Sequence, residues 1–152
     1  MNKIKTATYA RTATKDEDCI NWQTREMEAF VLDDPKLELV SMFHDNGKSG
    51  RNTNRPGFKR MMDACRAGKI KRIVTPSLSV LTRNSMDMVA ILTEVAKCGV
   101  SILFTKQGID TAEESGRQLL VDCMIHAEID AKLAAAEAKA PMEAPSADEV
   151  AE

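Results

Sequence analysis

The sequence contains no Cys-x-x-Cys pair, few histidines and no long hydrophobic run. Its four cysteines are scattered along the chain, and its two histidines are His44 and His126. This distribution favours neither a zinc site nor a disulfide framework, so we predict thiols in a reducing compartment. Residues 1–5 are polar, and no apolar stretch behind them is long enough for a signal peptide or a membrane span. The sequence therefore predicts a soluble, cytoplasmic protein with no membrane partner.

The composition predicts one folded domain followed by a tail. With 152 residues, 43% of them hydrophobic, the chain is long enough for one domain with a buried core and too short for two. The segment from Pro141 onward is acidic, contains proline and has few large apolar residues. We therefore predict a domain over residues 1–114, a C-terminal helix over residues 115–140, and a disordered acidic tail over residues 141–152.

Positive charge is concentrated in one part of the chain. The net charge is -2, yet residues 48–72 contain nine lysines and arginines and one acidic residue, Asp63. A surface that faces phosphate needs such a density of positive charge. A solvated basic face that meets no nucleic acid has the same composition, so both interpretations stay open on charge alone.

Strand-like and helix-like segments alternate four times along the chain. Their spacing suits parallel strands joined by right-handed helical crossovers, which indicates an α/β fold with a mostly parallel sheet. Residues 45–54 are polar and contain glycine, and we predict a mobile loop there. The predicted strands are residues 4–11, 37–43, 70–75 and 101–104, and helices are predicted to begin at Asp16, at Pro56, near Met86 and at Ser115 or Gly116.

The stretch Ala7 to Thr14 is an apolar run that ends in a small polar loop before an acidic helix start. Because ligands collect at the carboxyl ends of parallel strands, a functional site is expected here. The stretch resembles the Tyr-Ala-Arg-Val-Ser-Thr signature of serine site-specific DNA recombinases, the resolvase and invertase family. Residues 43–58 closely match that family's Asp-x-Gly-x-Ser-Gly…Arg-Pro-Gly-Phe loop. Residues 78–84 align with its Leu-Asp-Arg-Leu-Ser-Arg-Asn segment, and residues 108–111 with 116–117 match the approach to its long helix.

The resemblance implies a three-layer α/β/α domain around a mixed, mostly parallel sheet of about five strands, the fifth a short edge strand near residues 108–111. It also implies a chemistry in which a serine attacks a DNA phosphodiester while arginines neutralise the phosphate, with no metal and no cofactor. Arginine suits this task because its charge is fixed and its fork binds phosphate through two hydrogen bonds. The implied catalytic positions are Arg11, Ala13, Gln23, Arg55 and Arg83, and the implied phosphate-binding residues are Arg11, Ser49, Arg51, Arg55 and Arg83.

The chain departs from the family pattern at several of these positions. Ala13 stands where the family has its serine, and alanine has no oxygen with which to form a covalent intermediate. Val80 and Ala131 replace two family arginines, and Ser79 replaces an aspartate. A shift of one residue would present Thr12 or Thr14 instead of position 13. However, one step along a strand turns the side chain to the opposite face of the sheet.

These departures lead to two main hypotheses. The first is a DNA-recombination protein that cannot cleave DNA, binds its backbone weakly without sequence specificity, and forms a homodimer or joins an active recombinase through the helix near Gly116. The second is a degenerate interaction or regulatory module that no longer binds DNA, which the acidic tail favours. A third alternative is an active enzyme that uses Thr12 or Thr14 as its nucleophile.

Overall fold

The computed structural model describes residues 2–122 and 125–126. The predicted tail, and most of the predicted helix over residues 115–140, lie outside the described residues. The structure assigns five strands and four helices before a further helical stretch at residues 114–122. These elements are β1 (Ile4–Thr12), α1 (Glu17–Leu32), β2 (Leu37–Asn46), α2 (Pro56–Arg66), β3 (Arg72–Thr75), α3 (Leu78–Leu81), α4 (Ser85–Lys97), β4 (Ser101–Phe104) and β5 (Ile109–Asp110).

The strands form one mixed sheet in the order β2-β1-β3-β4-β5. The first four strands run parallel, and β5 pairs antiparallel with β4 at the edge. Helix α1 covers one face through a cluster that includes Met27 and Val31, and α2 and α4 cover the other through a larger cluster that includes Met61 and Ile91. The predicted three-layer α/β/α class is therefore confirmed, including the short fifth strand.

Local sequence explains where the helices begin. The Asp16 side chain accepts a hydrogen bond from the Cys19 amide, and two acidic residues follow in the first turn of α1, where the helix dipole favours negative charge. Helix α2 begins with Pro56, which fits the first helical position because the amide that proline lacks would have no helical partner there. Within the described residues, no helix is long and apolar enough to cross a membrane.

Strand β2 is longer than its sequence indicated. It was predicted to end at Phe43 and to be followed by a loop from Asp45, but the strand continues to Asn46. The extension exists because Asp45 and Asn46 pair with Arg11 and Thr12 at the end of the central strand. The prediction of a loop at these two positions is therefore wrong, and the loop proper runs over residues 47–55.

A bulge in β2 changes which face of the sheet its side chains meet. Thr6 pairs with Leu39, but the next residue, Ala7, pairs with Ser41, so Val40 is an extra residue in the ladder. In a regular strand Leu39 and Phe43 would face the same side. Instead Leu39 packs into the α1 cluster and Phe43 packs into the α2 and α4 cluster. The bulge thus brings the Asp45 side chain, two residues after Phe43, to the face that carries α2.

Candidate functional site

The candidate site lies where β1 and β2 end side by side. The Thr12 carbonyl accepts hydrogen bonds from the amides of Gly47 and Lys48, both at 2.9 Å, so the loop over residues 47–55 starts against the end of β1. Gly47 has φ 79°, a conformation that glycine adopts without strain. Ala13 is the next residue after Thr12 and is exposed. Position 13 therefore lies at the carboxyl edge of the sheet, as the sequence predicted.

Gln23 fixes the strand just before that position. Its side chain is buried; the Oε1 atom accepts from the Arg11 amide and the Nε2 atom donates to the Arg11 carbonyl, both at 3.1 Å. The Gln23 side chain, which belongs to helix α1, thereby pairs with the main chain of Arg11 as a neighbouring strand would. It holds the main chain two residues before Ala13, and it is directed into the protein.

The guanidinium group of Arg11 is bonded to main-chain carbonyls. Arg11 is 4% exposed. Its Nε atom donates to the Val80 carbonyl and its Nη1 atom to the Lys48 carbonyl, both at 2.9 Å, while Nη2 donates to the Ser79 carbonyl. Burial, followed by repulsion from Arg55, lowers the pKa of Arg11. This arginine reaches three carbonyls and makes no hydrogen bond to a carboxylate among the described residues.

Arg55 is buried more completely than Arg11. It is 0% exposed, and its Nε atom donates to the Asn52 carbonyl at 3.0 Å. The Nη2 atom donates to the Leu81 carbonyl at 2.7 Å, and Nη1 donates to the Tyr9 hydroxyl at 2.8 Å. The guanidinium carbon lies 4.7 Å from the centre of the Phe58 ring, a favourable position for a cation over an aromatic face.

Asp45 is linked to this buried arginine through a hydrogen-bond chain that passes through Tyr9. The Tyr9 hydroxyl donates to Asp45 Oδ2 at 2.7 Å, and the same carboxylate accepts from the amides of Gly57 and Phe58 at 2.8 and 2.9 Å. Burial, together with the hydrogen bond to Asp45, raises the pKa of Tyr9 although Arg55 opposes the shift. Asp45 therefore caps the first turn of α2 while it orients the tyrosine that contacts Arg55.

The remaining predicted residues, Ser49, Arg51 and Arg83, are exposed. Ser49 Oγ accepts from the Arg51 amide at 3.0 Å. The Arg83 amide donates to the Gly50 carbonyl at 2.8 Å, while no hydrogen bond or ion pair is found for the Arg83 guanidinium within the described part of the chain. The predicted arginines thus divide into a buried pair and an exposed pair.

One arginine of each pair, Arg11 of the buried pair and Arg83 of the exposed pair, lies close to Gly50. A Cβ atom at this position would lie 2.6 Å from Arg11 Nη2 and 3.2 Å from Arg83 Cγ, so only glycine fits between these side chains. The structure therefore places the Arg83 side chain beside Gly50 and close to the buried Arg11. Sequence reasoning singled out neither Asp45 nor the carbonyls of residues 79–81 as partners of the arginines.

The Thr12 hydroxyl forms hydrogen bonds where β1 and β2 end. Its hydroxyl donates to Asn46 Oδ1 at 2.6 Å and accepts from the Gly47 amide at 3.0 Å. Asn46 also accepts from the Asp16 amide and donates to Glu17, so one amide side chain ties β1, β2 and the start of α1 together. Among the residues that the structure describes, no group of three potential ligands could hold a metal ion.

The sheet order, the site at the strand ends and the arginines around it define a catalytic-domain fold of the serine recombinase type. The resolvase N-terminal domain family model matches residues 6–150. The chain therefore belongs to the resolvase N-terminal domain family, which confirms the family resemblance seen in the sequence.

Solved structures of recombinases show the same fold. The N-terminal catalytic domain of TP901-1 integrase is 20% identical with a TM-score of 0.74, and the match covers 85% of this chain and 98% of that one. A resolvase family site-specific recombinase from Streptococcus pneumoniae is 27% identical with a TM-score of 0.71, covering 90% and 93%. The C-terminal catalytic domain of ISC1926 TnpA, an IS607-like serine recombinase, is 20% identical with a TM-score of 0.61, covering 66% and 68%.

Proposed function

We propose that this resolvase-family chain takes part in DNA recombination without cleaving DNA itself. The observation that carries the proposal is Ala13: it follows β1 at the exposed carboxyl edge of the sheet, two residues after the main chain held by Gln23. In this reading Ala13 occupies the position of the family's serine. An alanine there supplies no oxygen to attack phosphorus, so no phosphoserine link can form.

The neighbouring hydroxyl groups support an inactive site. The Thr12 hydroxyl already donates to Asn46 and accepts from Gly47, and Thr12 is 8% exposed. Its use as a nucleophile would require both bonds to break and the residue to turn to the opposite face of β1. Thr14 is exposed, so it is the hydroxyl that a test for residual activity has to remove.

The exposed cations near the loop support weak binding of the DNA backbone. Lys48, Arg51 and Arg83 are all exposed, and Ser49 adds a hydroxyl beside them. Contacts of this kind neutralise phosphates without reading bases, so affinity should fall steeply as salt rises and should not depend on sequence. Phosphate binding by Arg11 and Arg55 stays a prediction, because both guanidinium groups are buried against carbonyls.

An apolar groove supports self-association or association with an active recombinase. The groove has a volume of about 520 Å³ between α4 and helical residues 114–122, and Val89, Leu92, Leu120 and Val121 are among the residues that line it. Val89 is 51% exposed and Val121 is 47% exposed. Exposed apolar surface of this kind is typical of protein interfaces. We accordingly propose that helical residues 114–122, at the start of the predicted dimerisation helix, form part of the dimerisation surface.

The test combines binding, mass and covalent chemistry on one preparation. Fluorescence anisotropy of a labelled duplex at low and moderate salt measures backbone binding, and light scattering after size exclusion gives the oligomeric mass. Denaturing gels of the labelled DNA detect any covalent adduct, and a Thr14→Ala variant serves as the control. We expect salt-sensitive binding, a dimer and no adduct. An adduct formed by the native chain, and lost in Thr14→Ala, would refute the inactive reading in favour of a threonine nucleophile.

The buried arginines favour a second candidate function, an interaction or regulatory module that no longer binds DNA. Arg11 and Arg55 direct their side chains to carbonyls within the domain, which leaves fewer cations for phosphate. This candidate predicts a dimer or a complex with a recombinase, and no DNA binding even at low salt. It further predicts that removal of residues 141–152 leaves DNA binding absent, whereas binding that appears on removal would indicate a tail that competes with DNA.

A further inference from the structure

Arg11 and Arg55 connect the same two segments of the chain. The first segment is the loop over residues 47–55, and the second, residues 77–83, contains the short helix α3. Each arginine donates to one carbonyl of the loop and to at least one carbonyl of the second segment. The loop carbonyls are those of Lys48 and Asn52, and those of the second segment are Ser79, Val80 and Leu81.

Few other hydrogen bonds hold these two segments against each other. The Gly50 carbonyl accepts from the Arg83 amide at 2.8 Å and from the Thr82 hydroxyl at 3.1 Å, and the Asn84 side chain reaches the Arg51 carbonyl at 3.5 Å. Arg55 belongs to the loop, so its bond to Asn52 lies within the loop, and the two segments are joined by its bond to Leu81 and by the three carbonyl bonds of Arg11. Arginine suits this task because its fork presents five N–H donors in a rigid plane, whereas a lysine is a single point of charge.

We infer that Arg11 and Arg55 are positioning residues that clamp the loop to residues 77–83 and thereby set the place of Arg83 at the surface. Both residues are almost inaccessible, at 4% and 0% exposure, and their guanidinium groups are bonded to carbonyls of these segments, so a phosphate could reach them only after the segments separate. The Arg83 side chain lies next to Gly50 and close to Arg11, and Arg83 is exposed. That Arg83 contacts phosphate rests on the proposed function, whereas the clamp rests on the geometry alone.

Amide hydrogen exchange tests the clamp without DNA. The protection factor of the Arg83 amide, which bonds to Gly50, reports directly on contact between the two segments. We expect Arg11→Gln and Arg55→Gln to lower this protection at least about tenfold, while Arg51→Gln, a change of an exposed arginine in the same loop, alters it less than about twofold. Arg11→Lys keeps the charge and should lower protection as well, which covers the case that Arg11→Gln does not fold. Unchanged protection in folded Arg11 and Arg55 variants would overturn the clamp.

A double-mutant cycle tests whether Arg11 acts through Arg83. DNA affinity is measured for the native chain, Arg11→Gln, Arg83→Gln and the double variant at fixed salt. If Arg11 only positions Arg83, Arg11→Gln weakens binding in the native background and has less than about a twofold effect once Arg83 is gone. Equal fold-losses in both backgrounds, with a salt slope reduced by about 0.9 for Arg11→Gln, would identify Arg11 as an independent phosphate ligand instead.

The two experiments test different claims, so a negative result in one does not decide the other. A native chain that binds no DNA at low salt contradicts the proposed backbone binding and with it the route through Arg83, while the exchange experiment still decides whether the arginines clamp the segments. Lowered protection together with an independent fold-loss at Arg11 would overturn the assignment of Arg11 as a positioning residue and leave the proposed function in place.

Discussion

Replacement of Asp45 by asparagine should lower the free energy of unfolding, because the Asp45 carboxylate is the acceptor of a buried hydrogen-bond network. The carboxylate is 5% exposed and accepts three hydrogen bonds, one through Oδ1 from the Gly57 amide and two through Oδ2 from the Phe58 amide and the Tyr9 hydroxyl. In Asp45→Asn the side-chain NH₂ must face at least one of these donors. An unpaired buried donor costs about 1–3 kcal/mol. Asparagine also removes the carboxylate charge that is linked to buried Arg55 through the Tyr9 hydroxyl, which adds to the cost.

The combined loss should be about 2–3 kcal/mol, because the unpaired donor carries most of it and Tyr9 separates the carboxylate from Arg55. This is a large share of the roughly 5–15 kcal/mol that stabilises a domain. Urea denaturation followed by circular dichroism measures the free energy of unfolding, with an unchanged slope as the check on two-state behaviour.

The matched control is Asp63→Asn in helix α2, the helix whose first turn Asp45 caps. Asp63 pairs with Arg66 at 3.1 Å, but its side chain is 77% exposed, so its loss should change the free energy of unfolding by less than about 1 kcal/mol. If Asp45→Asn proves as mild as this control, the reasoning that places a capping and charge-balancing role on the buried carboxylate is refuted.

Three further predictions concern stability. Gly57→Ala should destabilise by about 1–3 kcal/mol in urea melts, because a Cβ there would lie too close to the His44 carbonyl oxygen, which outweighs the gain of about 1 kcal/mol for alanine in a helix; greater stability would contradict the packing. Burial raises the pKa of Cys65 from 9.0 to about 11. The stability that the buried thiol contributes is therefore present below pH 9 and should be lost as the pH rises towards 11, by up to about 1.4 kcal/mol per pH unit. Cys65→Ala should lack this slope. Burial raises the pKa of Asp110, but the hydrogen bond from Arg72 outweighs this effect and holds the pKa below 3.8. The stability that this pair contributes is present above pH 3.8 and should be lost on acidification. An equal acid dependence in Asp110→Asn would count against the pair.

The sequence predicted strands β1 to β4 and helices α1, α2 and α4 because each carries a local signal, whereas the short helix α3 (Leu78–Leu81) was not predicted. Strand β4 was predicted at its observed bounds, Ser101–Phe104, and helix α1 was predicted from the Asp16 cap and its acidic first turn. The short strand Ile109–Asp110 came from the family resemblance, since two residues hold no periodicity to read.

The sequence could not predict which way the site residues face. Arg11 and Arg55 were interpreted as phosphate ligands because they match the family's motif positions, but most of their partners are carbonyl groups, which every residue has. The carbonyls of Ser79 and Val80 bind Arg11 although both side chains depart from the family pattern. A motif records side chains only, so contacts made by the main chain remain invisible to it.

The extra residue at Val40 has a practical consequence for anyone who exchanges segments between members of this family. Strand β2 consists of two halves with opposite phase, and only the half after the bulge carries Asp45 to the face of Tyr9. A chimaera keeps that phase only when Val40, or one extra residue in its place, stands between Leu39 and Ser41. A junction before Val40 that drops or adds one residue would turn Asp45 away from α2. The transplanted loop would then keep its sequence but lose the contacts of Asp45 with Tyr9 and with the first turn of α2.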